Sequence, residues 1–295
     1  MKYSKRTIYI FFLLVFFGCA SRSPLSNRYI SKNKNIQHLI KLGKSHWDRR
    51  VDPKDARLAN HFLSKAIELD PYNLETIALY SRSCYFLGRF IEKNPAVKDS
   101  LYFEGFTKGW DFITSSPSFK LGFSSEDQDS ISRIMTGVES LSGDLLPVAY
   151  WWAENYTSYL LTKPALQRIE RRDVLETVLH RLLSINPEYY FHGVNRIFGS
   201  FYAKLPGIEL SQSENNFEKS ISGDPDFLNS YVARSQYLFT KKGDKNSFIK
   251  DLQYVLNSDP TKLPEASPEN LFEQEIAKDL LKKKILYLNN LILSK

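Results

Sequence analysis

Apolar residues recur at three- and four-residue intervals almost from end to end of this chain. Four times such a run stops at Asp or Asn followed by Pro. That pattern leaves little room for a sheet, because a half-buried strand needs alternation with period two, and sustained alternation is hard to find here. Leu175, Val178, Leu179, Leu182 and Leu183 form one helical stripe. Ile276, Leu280, Leu281, Lys284 and Leu288 form another, with the lysine the single break. The four stops fall at Asp70-Pro71, Asn186-Pro187, Asp224-Pro225 and Asp259-Pro260. Proline lacks the amide proton that a helix interior requires and biases the residue before it away from helix, so it ends one rod and presets the turn into the next. The last three prolines lie 38 and 35 residues apart, near the roughly 34 of a tetratricopeptide repeat. The 116 residues between the first two make the array irregular.

The chain is therefore expected to be all-α: an irregular tetratricopeptide-like α-solenoid of about twelve helices. They are expected near 35–50, 54–69, 73–88, 96–115, 126–141, 145–161, 171–185, 188–203, 213–223, 226–241, 245–257 and 268–293, with loops near 116–125 and 204–212. Ser267-Pro268-Glu269 offers an N-cap, a proline at the first helical position and an acid in the first turn. Ser125 to Gln128 fits a capping box, and Gly88 and Gly243 fall where helices should stop. Helix pairs that cannot bury their apolar faces alone stack on their neighbours. The stack curves and presents a concave groove or central channel.

The first residues read as an address. Lys2, Lys5 and Arg6 precede a ten-residue apolar run, Ile8 to Phe17, which is too short to span a bilayer. Residues 1–18 are expected to be a signal peptide, and Cys19 after Gly18 an acylated lipoprotein cysteine. Phe16 and Phe17 depart from the usual lipobox, and a plain cleaved leader is the competing reading. Acyl chains contribute about 0.8 kcal/mol per buried CH2, and several together anchor stably. Loss of the leader removes three of the positive charges behind the net +7 and leaves +4. Residues 19–33 read as a flexible tether and 34–295 as one helical domain. Ala20 behind the cysteine favours the outer membrane over the inner.

Chemistry is sparse. The five histidines, at 38, 46, 61, 180 and 192, form no zinc spacing, and no glycine-rich phosphate loop or nucleophile elbow is present. No metal, cofactor or catalytic residue is expected. Cys84 sits in an apolar helical stretch and reads as a small core residue. The basic runs at Arg168–Arg172 and Lys282–Lys284 read as solvated helix faces rather than nucleic-acid contacts, since an exported chain does not normally meet nucleic acid. Aromatic residues are abundant, with 17 Tyr, 20 Phe and 4 Trp. Tyr150, Trp151, Trp152, Phe198 and Tyr202 have two readings: gap-fillers between stacked helices, or the lining of a groove, channel or interface. Trp151 and Trp152 are adjacent on a helix and cannot both face the same layer.

Several stretches, in order and with their spacing, resemble a known family. They run from Trp47-Asp-Arg-Arg50 through Ala56 to Pro71, Tyr85 to Gly88, Glu104-Gly105 with Gly109, and Tyr150 to Ala153 with Asn155. The most specific is Arg196-Ile-Phe-Gly-Ser-Phe-Tyr-Ala-Lys-Leu-Pro-Gly207. Asn216 to Ile221, Phe248 to Pro260 and Glu275 to Ala277 follow. Together they resemble the T-component (TatT) family of tripartite ATP-independent periplasmic (TRAP) transporters. After Gly207 the chain reads Ile208-Glu-Leu-Ser211, where the family usually carries paired glycines and an Asp. The resemblance implies a periplasmic, lipid-anchored, non-catalytic partner of a solute-binding protein. It also implies a homo-oligomer, a trimer, whose protomers each carry a channel for an apolar or organic-anion ligand. The alternative is a general tetratricopeptide scaffold lipoprotein in envelope or outer-membrane assembly.

Overall fold

The computed structural model describes the backbone of residues 24–123 and 129–293, and side chains over 32–123 and 129–283. Cys19, the leader, the start of the tether and the capping box at Ser125 lie outside these residues. The described chain is helical throughout, with no strand. In order come α1 (Pro24–Trp47), α2 (Pro53–Leu69), α3 (Leu74–Phe86), α4 (Pro95–Ser115), α5 (Pro117–Phe123), α6 (Ser130–Glu139) and α7 (Leu146–Leu161). Then follow α8 (Ala165–Glu170), α9 (Arg172–Ile185), α10 (Tyr189–Lys204), α11 (Leu210–Gly223), α12 (Asn229–Ala233), α13 (Thr240–Lys242), α14 (Lys245–Asn257) and α15 (Ser267–Leu293). π-helical turns extend α3 over Leu87–Ile91 and join α12 to α13 over Arg234–Phe239.

Each of the four Asp/Asn-Pro pairs falls just past a helix end, after α2, α9, α11 and α14. Caps explain the starts. Asp52, Asn73, Asn94, Asp129 and Asp244 each accept a backbone N–H from the first turn that follows. Gly243 takes φ 69°, as a helix-ending glycine does.

Four expectations are corrected. Residues 117–123 and 165–170 are helical, where one loop was expected and the other helix was not foreseen. α1 starts at Pro24, ahead of the expected 35 and inside the expected tether, as nothing between residues 25 and 42 is a proline or glycine. Gly88 does not stop a helix. It lies in the π-helical turn, and a Cβ there would meet the Tyr102 ring at 2.5 Å, so this glycine lets α4 come close. The reading of 188–203 as plain helix fails at its first residues, as described below.

Neighbours in sequence are mostly neighbours in space: α1 packs on α2, α2 on α3, α3 on α4, and α10 on α11. The largest core gathers α3, α7, α9 and α10 around Tyr80, Cys84, Tyr150, Leu179 and Phe201. Cys84 is fully buried there. Burial raises its thiol to about 12, with the Glu104 charge adding to the effect. A maleimide at pH 8 is accordingly expected to label the Cys84 peptide only in denaturant. Labelling of the folded protein at the rate of a free thiol would show that the site opens. A second core lies between α12, α14 and α15, and a third places Trp47, Phe86 and Phe90 against Phe272 of α15. The last helix thus closes back on the first three, and this closure positions the site.

Candidate functional site

Glu269 and Glu273 lie one turn apart on α15 and share a face. Both point into the protein, with side chains 5% and 0% exposed. Glu269 accepts from Arg50 at 2.8 and 3.3 Å and from Arg82 at 2.8 Å. Glu273 accepts from Arg89 at 2.6 and 2.8 Å and from the Asn229 amide. Burial pushes the Glu269 carboxyl up, but Arg82 and Arg50 outweigh it and hold the group below its ordinary value. The Arg82 guanidinium also lies 5.1 Å from the centres of the Trp47 and Trp151 rings and 4.9 Å from Tyr190. These ion pairs hold the closure of α15 onto residues 50, 82 and 89.

Tyr190, Phe191 and His192 take φ of 48°, 59° and 52°, three consecutive left-handed residues with no glycine among them. Each costs about 1–2 kcal/mol against the right-handed form, so side-chain contacts must hold them. The Tyr190 hydroxyl accepts from Arg82 at 2.9 Å. Phe191 stacks on Phe227, and His192 Nδ1 bonds Asp224 at 2.6 Å. Right-handed helix resumes at Gly193, where a Cβ would sit 2.2 Å from the Tyr150 hydroxyl. That glycine lets Tyr150 donate to Glu154 at 2.6 Å while accepting from Arg196 at 2.7 Å. Arg196 also donates to Glu154 at 3.0 Å.

Between α4, the end of α7, Lys204, the second π-helical turn and α15 lies a cleft of about 900 Å³. Six cations line it: Arg89, Lys93, Lys98, Lys163, Lys204 and Lys283. The acids are two, Asp99 and Asp279. Asp99 is taken by Lys163 and Thr162, and Arg89 by Glu273. Burial first, then the charges of Arg89, Lys93 and Lys283, pushes the Lys98 ammonium down from its ordinary value. Phe90, Tyr102, Leu161, Ile276 and Leu280 add apolar wall. A concave, partly apolar surface with excess positive charge attracts an amphiphilic anion.

Behind the cleft a narrow recess of about 20 Å³ runs to Arg196, Glu154 and Thr157. Arg89, Ser158, Leu161 and Tyr237 line both spaces.

The aromatic residues singled out from sequence sit elsewhere. Tyr150, Trp151, Trp152, Phe198 and Tyr202 all belong to the largest core, none more than 8% exposed. Trp151 also borders a hollow of about 240 Å³ beside Arg82 and Pro147. None of the five lines the basic cleft or its recess. Sequence reading missed Arg82, Arg89, Glu154 and Glu273. One signal was present: Arg82 and Arg89 stand two turns apart in the apolar stretch from Tyr80 to Ile91, where a charge either covers apolar surface or finds a buried partner. His46 and His192 each pair with a carboxylate, Asp55 and Asp224. Among the described residues no cluster of His, Cys, Asp and Glu is suited to a metal. No helix among them is long and apolar enough to cross a membrane.

Comparison with curated proteins returns no match. The family model for the TRAP transporter T-component matches residues 92–287. That span takes in both α15 glutamates and most of the lining of the cleft and the recess, while Tyr85, Arg89 and Phe90 precede it. On this match, which covers well over half of its length, the chain belongs to the TRAP transporter T-component family.

Proposed function

We propose that this T-component is a lipid-anchored, non-catalytic docking module. It holds the solute-binding protein of a TRAP-type uptake system over its basic cleft and receives an organic anion there. The family match carries the transport role. The six cations of the cleft, set against two acids and beside apolar wall, support an anionic ligand and a partner that presents one. Acylated Cys19 holds the protein at the periplasmic side of the envelope, in the outer membrane, and homo-oligomers, trimers in this reading, set several clefts side by side.

The test is direct association. The full chain in detergent is expected to co-elute with the solute-binding protein of its own TRAP system. A Lys93→Glu/Lys98→Glu variant is expected to bind at least about tenfold more weakly at low salt, with the difference shrinking as salt rises. If wild-type protein fails to co-elute with that partner at low salt, with or without its solute, the docking role is wrong.

A further inference from the structure

Two buried donors at the inner end of the cleft have nothing to bind. Arg196 Nη1 and Thr157 Oγ1 are shut off from solvent and have no hydrogen-bond partner, although their residues are only 3% exposed. Buried polar groups in folded proteins are nearly always paired, and an unpaired one costs about 1–3 kcal/mol. Both residues line the same recess.

The surrounding charges are balanced: Arg196 against Glu154, and Arg89 against Glu273. What remains over is the outer edge of one guanidinium and one hydroxyl. The Tyr85 and Tyr237 phenols, also on the recess wall, are pushed up by burial, so they keep their protons.

We infer that this recess grips one carboxylate oxygen of an organic acid, through Arg196 Nη1 and Thr157 Oγ1, while the acid's apolar body lies in the basic cleft. The inference rests on the organic-anion reading of that cleft and names its chemical class. A volume of about 20 Å³ admits little more than one water-sized group. A carboxylate can put one oxygen into such a space, where the free Nη1 of Arg196 offers a charged N–H and Thr157 a hydroxyl. A tetrahedral phosphonate or sulfate presents three oxygens and is too broad. Outside, Tyr102, Leu161 and Ile276 offer the body an apolar bed, and the lysines draw the charge in. Because both donors are closed to solvent, the carboxylate reaches them by side-chain rotation at the shared rim, at Ser158 and Leu161.

The experiment is calorimetric titration of the full chain at pH 7 with hexanoate, methyl hexanoate and hexylphosphonate. Hexanoate is expected to bind saturably, and the ester and the phosphonate are not. Thr157→Val removes only an unpaired hydroxyl, so its melting temperature is expected to be unchanged or higher, while hexanoate binding weakens about tenfold. Arg196→Lys, if it folds, is expected to weaken binding about a hundredfold. Equal binding of hexylphosphonate, or unchanged hexanoate affinity in Thr157→Val, would place the anion among the outer lysines and overturn the grip. Absence of hexanoate binding would overturn it too, and co-elution with the solute-binding protein would then still stand as the separate test of docking.

Discussion

Replacing Glu269 by alanine is expected to cost about 3–5 kcal/mol of unfolding free energy, the range seen when one partner of a buried ion pair is removed. The melting temperature would fall on the order of 10 °C. Two arginines lose their shared carboxylate at once. Arg50 has a side chain only 8% exposed and no other acid among its hydrogen-bond acceptors, which are the carbonyls of Trp47 and Glu265. Arg82 is left with the Tyr190 hydroxyl and three aromatic faces. Since Arg82 also props Tyr190 in its left-handed conformation, the loss reaches the start of α10. Combining Glu269→Leu with Arg50→Met and Arg82→Met is expected to recover much of the stability, because the penalty is for stranded charge rather than for missing attraction. A triple variant no more stable than Glu269→Ala would show that the network, not the stranded charge, sets the cost.

The pH dependence has a definite sign. The folded carboxyl of Glu269 is held below its ordinary value. Its contribution is therefore complete above the unfolded value of about 4.3 and fades as pH falls through the folded one. Glu269→Gln is expected to be less stable at pH 7 and to lose less on acidification. Parallel acid limbs in wild type and variant, followed by tryptophan fluorescence, would show that the carboxylate is not held in this way.

The two levels of organisation were unequally visible in the chain. Helix ends were legible because they are local: Asp70-Pro71 or Asn186-Pro187 carries its stop signal within two residues. The closure of α15 was not, because Arg50 and Glu269 are 219 positions apart and Arg89 and Glu273 are 184. Glu269 illustrates the loss. In isolation it is an acid in a first helical turn, favourable to the helix dipole, and nothing nearby says that two arginines from other helices will meet it. The left-handed turn at residues 190–192 is likewise invisible. Tyr, Phe and His ordinarily avoid that region, and contacts supplied by other parts of the chain, among them Arg82, Trp151, Phe227 and Asp224, hold it. The cleft shows the same asymmetry: its lysines are scattered from Lys93 to Lys283, and each alone reads as a solvated face.

Trp151→Ala and Trp152→Ala are each expected to cost roughly 3–5 kcal/mol, as both rings are buried, at 4% and 3% exposure. Their consequences should differ, because adjacent helical positions face different layers. Trp152 packs on Trp110 and Tyr156, within the layer of α4 and α7. Its truncation leaves an apolar hole, which Trp152→Phe should fill in large part. Trp151 meets Tyr85, Tyr150 and Tyr190, and the Arg82 guanidinium lies over it. Its loss removes packing and also uncovers a charge whose Nε is already without a partner. Phenylalanine there restores the area but presents a weaker face to the cation. Trp151→Phe is therefore expected to recover a smaller share of the lost stability than Trp152→Phe, and Arg82→Met in the Trp151→Phe background should narrow the gap. Denaturant unfolding of these variants measures the coupling directly. Equal recovery by the two phenylalanine variants would mean that the cation–aromatic contact at Trp151 contributes nothing beyond its area.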